Sequence, residues 1–325
     1  MKKLFTLALF LLALLLPIGV SAQSFSHIFV FGDSLSDPGN LAAAIAPDPL
    51  PLPPAHSNGG RRFSNGPLAV EVLADTLGLH ADPFLIIPGG TNFAFASARA
   101  GGDENIDLFA QMDTFFSIHA DAEGTIPPDA LYLIIIGTND VRDASKRGDD
   151  HLAKGMIKRA VRRIDQSIST LVAAGAKTIL VGNATDVSLL PETAIIAASG
   201  DLNIAERATR LSKQFNRRLA KRVNRHSHQG DHGGRNGVNI VLFDIFSFFR
   251  FIVNNHLPLG FTNTEEACFN SGALAFNPAC LSGDPGAPTF ERFIFFDWFH
   301  PTAGVHAIVG QGLFSAIPLL VGDIP

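Results

Sequence analysis

Three short segments hold the side chains that could do chemistry. Gly32-Asp33-Ser34-Leu35-Ser36-Asp37 places a serine just after the apolar run Ile28-Phe29-Val30-Phe31. A serine on a glycine-assisted turn at the carboxyl end of a buried strand is presented to solvent with its own N–H free, as a nucleophile in an open α/β sheet requires. Asp297-Trp298-Phe299-His300-Pro301-Thr302 sets a carboxylate three residues ahead of a histidine. Within one turn the acid can fold back, hold the Nδ1 proton and leave Nε2 as a general base. Ile136-Gly137-Thr138-Asn139-Asp140 follows another apolar run, and the Asn139 amide could donate to a developing oxyanion. Each segment by itself is equally an ordinary turn. Their joint occurrence, in the chain order Ser, Asn, Asp, His, points to nucleophilic acyl transfer.

Such side chains need a scaffold that brings residues 34 and 300 together. Residues 28–31, 131–136, 178–181 and 238–243 are continuous apolar runs. They read as strands buried on both faces, the habit of parallel sheets covered by helices. Between them, residues 68–77, 152–174, 202–223 and 305–317 carry helical periodicity; in the second, Ile157, Val161, Ile164, Ile168 and Leu171 repeat at three and four residues. Strand–helix alternation over this length predicts a doubly wound α/β sheet. Three stretches are irregular. They are the proline-rich 47–54, the glycine-rich 230–237, and 254–288, long enough to be a functional loop beside the C-terminal segment.

Of 325 residues, 46% are hydrophobic and 17% charged. Residues 1–22 read as a secretory signal: Lys2 and Lys3, an apolar stretch over 4–16, and Val20-Ser21-Ala22 as a small-residue cleavage site. Cleavage near Ala22 leaves one domain over 23–325, secreted to the periplasm or outside the cell. Removing Lys2 and Lys3 takes the formal charge from −5 to −7. A mildly acidic chain with no basic run argues against a nucleic-acid partner. Cys268 and Cys280, 12 positions apart in an exported segment, are expected to form a disulfide rather than a metal site.

The motifs also occur in longer matching blocks. Residues 29–40 (FVFGDSLSDPGN), 63–74 (FSNGPLAVEVLA), 92–98 and 296–303 (FDWFHPTA) resemble the GDSL or SGNH hydrolases, serine esterases and lipases, above all the larger secreted plant and bacterial phospholipase/haemolysin-like members. Gly260-Phe261-Thr262-Asn263 followed by the two cysteines is similar to the loop of the bacterial members. The resemblance implies a three-layer, flavodoxin-like α/β/α fold with about five parallel strands. It implies carboxylic ester hydrolysis by Ser34 as nucleophile, His300 as general acid and base, and Asp297 as its orienter. The oxyanion hole would combine the Ser34 N–H, the Asn139 side chain and an N–H of the second block. There the family usually has Gly-Gly after Asn-Phe-Ala-x, whereas this chain has Ala96-Ser97; Ser97 is the aligned donor, with Ala96 as the alternate. No metal or organic cofactor is required. The substrate would be a small-molecule or lipid ester, with transient lipid-surface contact and a monomeric state. An acyltransferase, a carbohydrate deacetylase and a non-catalytic secreted binding protein on the same scaffold are the competing readings.

Other residues fit chemistry less well. His226, His228 and His232 beside Asp231 match no metal-ligand spacing. Asp149-Asp150 and Glu265-Glu266 read as surface charge, and His306 as helix packing. Phe246, Phe248, Phe249 and Phe251 read as core, with an acyl-chain pocket or lipid-facing rim as the sharper alternative.

Overall fold

The computed structural model describes residues 24–45, 61–228, 237–281 and 289–317. The elements in chain order are β1 (Ile28–Gly32), α1 (Asn40–Ala44), α2 (Ala69–Thr76), α3 (Leu108–His119), β2 (Leu131–Ile135), α4 (Thr138–Ser145), α5 (Asp150–Ala173), β3 (Thr178–Gly182), α6 (Pro191–Ala198), α7 (Ile204–His228), β4 (Asn239–Phe243), α8 (Ile245–Asn254), β5 (Asn263–Ala267), β6 (Phe269–Asn270), β7 (Ala275–Phe276), β8 (Phe293–Phe295) and α9 (Ala303–Ala316). The four apolar runs are the four strands of one parallel sheet, ordered β1-β2-β3-β4, with Ile28 opposite Leu131, Leu131 opposite Thr178 and Thr178 opposite Asn239.

Successive strand residues point to opposite faces, and both faces are covered. Phe29, Phe31, Tyr132, Ile134, Ile179 and Val181 pack with Phe115 of α3, Ile157, Ile164 and Ile168 of α5, and Phe215 of α7. Ile28, Val30, Leu131, Leu133 and Leu180 pack instead with Val70 and Leu73 of α2 and Leu313 of α9. This is why the runs are apolar at nearly every position rather than at alternate ones, and it gives three layers, α/β/α.

The sheet has four strands rather than about five. The fifth position, on the free edge of β1, is a single parallel bridge between Val30 and Asn92. Val30 N–H donates to Thr91 O, and Phe93 and Phe95 N–H donate to Val30 and Gly32 O. The ladder stops at Gly32, whose N–H donates to the Gln111 side chain rather than to this segment, while the carbonyls of Asn92 and Ala94, which face away from β1, accept from the Asn40 amide. The chain thus leaves β1 to one side and returns as β2 on the other. The crevice at that reversal, outside the carboxyl ends of the strands, is where an open α/β sheet binds ligands.

Helices α1, α3, α4, α6 and α8 lie outside the four stretches read as helical from the sequence. The stretch 254–288 is not a bare loop either. Its β5 pairs in parallel with β8, its β6 pairs with β7, and Cys268 and Cys280 are disulfide-bonded in a small core with Phe293. Residues 1–22, the proline-rich 47–54 and His232 lie outside the described residues, as does most of 230–237.

Candidate active site

Ser34 lies two residues beyond β1, in a turn closed by Ser36 N–H on Asp33 O and by Leu35 N–H on the Asp33 carboxylate. His300 arrives from the far end of the chain, between β8 and α9. Its Nε2 is 2.7 Å from Ser34 Oγ, and its Nδ1 is 2.8 Å from both Asp297 oxygens. A carboxylate only accepts hydrogen bonds, so Nδ1 carries the proton and Nε2 is left to accept from the serine hydroxyl. All three side chains are buried. Burial works to raise the Asp297 pKa, but charge on His300 and hydrogen bonds from the His300 ring and the Phe299 and His300 N–H groups outweigh it and hold Asp297 below the usual carboxylate range. The Phe63 and Phe299 rings lie 5.0 and 5.9 Å from the His300 ring.

Asn139 sits in the first turn of α4, at 8% exposure. Gly137 starts that helix at φ +122°, where a Cβ would meet Phe215 at 2.3 Å, so only glycine turns the chain from β2 towards the site here. Asn139 Oδ1 accepts from Arg142 at 2.8 Å, and its Nδ2 donates to Ala98 O at 3.0 Å. One Nδ2 proton remains, and the amide orientation is fixed by Arg142. That arginine also pairs with Glu192 and lies 4.2 Å over the Phe299 ring. Arg142 escaped the sequence reading; its only signal was being three residues beyond Asn139 on one helical face.

The second block is held by buried acids on either side. Asp37 accepts from the N–H groups of Gly39, Asn40, Leu41 and Ala96. Asp140 accepts from Ala100 and Gly101, and Asp107 from Arg99. Burial pushes the carboxyls of Asp37 and Asp33 up to about 6, and that of Asp140 up to about 7, against the N–H donors that lower them. Between these clamps Ser97 adopts φ +71°, the left-handed region that glycine occupies freely. Ala96 N–H is spent on Asp37, whereas Ser97 N–H meets no acceptor among the described residues. Asp37 and Asn40, which tie the first block to the second, had no role in the sequence reading beyond their place in the motif.

Behind the Ser34 turn lies a cavity of about 60 Å³, walled by Leu35, Ile135, Leu190, Ile245, Phe249 and Phe295 among others. Ser36 Oγ, Thr185 Oγ1 and His306 Nε2 also belong to its wall residues, and all three atoms are buried without a partner. The aromatic cluster is therefore divided: Phe249 is buried against this cavity, while Phe251 is 53% exposed. His306 packs inside, accepting Ala69 N–H on Nδ1. Of the remaining candidates, His226 pairs with Asp165, Asp149 caps α5, Asp150 pairs with Lys154 and Arg210, and Glu265 and Glu266 are exposed.

Comparison with known proteins shows the family. The sequence model of the GDSL-like lipase/acylhydrolase family matches residues 28–313, nearly the whole chain. The chain belongs to that family. Curated relatives align end to end at low identity. An acetylajmalan esterase of Rauvolfia serpentina is 27% identical over 90% of either chain. A phosphatidylcholine-sterol acyltransferase of Aeromonas hydrophila is 27% identical over 96% of each. A GDSL esterase/lipase of Arabidopsis thaliana is 22% identical over 93% of this chain and 91% of its own. As a GDSL esterase/lipase the protein is a carboxylic ester hydrolase, and its blocks are the segments that meet at the Ser34 crevice.

Proposed function

We propose that this GDSL hydrolase is an exported serine esterase working through an acyl-enzyme. The observation that carries the reading is the unbroken relay from Ser34 Oγ through His300 to Asp297, at 2.7 and 2.8 Å. Ser34 Oγ attacks the ester carbonyl as its proton passes to His300 Nε2. The charge growing on the carbonyl oxygen meets the N–H groups of Ser34 and Ser97 and the free Nδ2 proton of Asn139. His300 returns the proton to the leaving alcohol; water then enters by the same route, and Ser34 is regenerated. Asp297 stays ionised throughout and holds the imidazole in the productive tautomer.

The small apolar cavity of about 60 Å³ behind the Ser34 turn supports a short acyl chain. Hydrolysis of p-nitrophenyl esters of rising chain length should therefore peak among the short chains. The likeness to an acyltransferase favours one second reading, transfer of the acyl group to an alcohol. Added alcohol acceptors would then yield a new ester at the expense of free acid. The decisive test of the mechanism is covalent labelling by a fluorophosphonate. The label should map to Ser34, and Ser34→Ala should lose both label and turnover while melting like the parent. Undiminished hydrolysis by that variant would end the assignment. Export is supported by residues 1–22, and a mature protein beginning at Gln23 is the expected product.

A further inference from the structure

The net charge of the chain conceals a strong separation. Helices α5 and α7 carry 13 of the 25 lysines and arginines and only three acids, Asp150, Asp165 and Glu206. The two helices lie side by side. Asp150 reaches Arg210 and Asp165 reaches Arg222, low numbers with low and high with high, so they run in the same direction. The cations recur at helical spacing, Lys154-Lys158-Arg162 on one helix and Lys213-Arg217-Lys221-Arg225 on the other. Apolar and neutral residues interrupt the cations along each helix, so their density shows only when the helical faces are assembled. Like charges at i and i+4 destabilise a helix, and acids that would relieve them are scarce. A groove between the helices is lined by Lys158, Arg162, Arg218, Lys221, Arg222 and Arg225. All but Arg222 are exposed and have no acidic partner among the described residues.

We propose that this groove binds an extended anionic polysaccharide, holding the esterase on an acidic matrix away from its catalytic crevice. Successive cations along each row rise about 6 Å, so the groove presents a line of charge rather than a point. Its concave form admits a strand better than it meets a flat bilayer. It also has no aromatic lining on which bases could stack, which disfavours single-stranded nucleic acid. The formal net charge conceals this face because it averages it with an acidic remainder.

The test uses the full-length protein and a fluorescent heparin dodecasaccharide, followed by anisotropy across a salt series. Binding should weaken steeply with salt, as counterion release requires. Arg218→Gln/Lys221→Gln should weaken it about tenfold or more at physiological salt and flatten the salt dependence. Arg147→Gln/Arg292→Gln removes the same charge elsewhere and should leave binding within about twofold. Melting temperature and p-nitrophenyl acetate hydrolysis should be unchanged in both. Absence of heparin binding at low salt would overturn the proposal, as would equal losses in the two double variants. Tighter binding to oligothymidylate, or to phosphatidylglycerol vesicles, would replace the polysaccharide by that partner.

Discussion

Asp297→Asn should produce a protein that folds and does not turn over. In the parent, Oδ1 accepts the Phe299 and His300 N–H groups, each at 2.8 Å, while Oδ2 faces only the His300 ring. An asparagine keeps its oxygen on the two backbone donors and so puts its NH₂ where Oδ2 was. That group lies 2.8 Å from Nδ1 and must donate to it, so the ring proton moves to Nε2. Nε2 then points a proton at Ser34 Oγ and cannot accept one. Loss of the productive tautomer in such a triad costs about 10⁴ in kcat, or about 5 kcal/mol of barrier. Asp297→Ala differs in a telling way. It strands two buried N–H groups, worth about 1–3 kcal/mol each, and should be the less stable variant. The assay is kcat and KM for p-nitrophenyl acetate beside urea unfolding of both variants. The expected pattern is crossed: asparagine keeps near-parental stability with the deeper loss of turnover. A fall in kcat below about tenfold for Asp297→Asn, or a change confined to KM, would refute the tautomer argument.

Asn139→Ala should lower kcat by about 10²–10³ through loss of an oxyanion donor, and a loss under about threefold would remove Asn139 from that role. Ser97→Gly should relieve about 1 kcal/mol of left-handed strain against a similar entropic cost in the unfolded chain, leaving stability and turnover close to the parent. Ser97→Pro deletes the N–H and also cannot adopt φ +71°, so it should abolish hydrolysis on both counts; an active, folded proline variant would show that the donor lies elsewhere. Burial, aided by the charge of His300, pushes His306 from 6.5 down to about 3. The unfolded chain takes up this proton below about 6.5 and the folded chain does not, so the contribution is full above 6.5 and is lost as pH falls towards 3. Between pH 6.5 and 5 it amounts to about 2 kcal/mol. Urea unfolding of the parent should lose that much more than His306→Gln over the same range, and parallel pH profiles would exclude the effect.

The sequence by itself determined the sheet and the main chemistry. Strands apolar at nearly every position indicate a sheet covered on both faces, so four parallel strands were legible from 28–31, 131–136, 178–181 and 238–243, and the longest covering helices from the periodicity of 152–174 and 202–223. Asp297 and His300 were legible as a pair because three residues of chain bring them together locally. Other features were not legible, because they rest on contacts that no local pattern encodes. The missing fifth strand depends on the Gln111 side chain, 79 positions away, capturing the Gly32 N–H. The donor in the second block depends on Asp37 occupying the Ala96 N–H and on clamps that force Ser97 to φ +71°. Arg142 lies one helical turn from Asn139, but the Glu192 carboxylate that holds it there comes from 50 positions away. The basic groove needs two helices separated by 30 residues of chain to lie side by side, since charge adds up in space and not along the chain. The junction of Ser34 with His300, 266 positions apart, likewise exists only in the folded sheet.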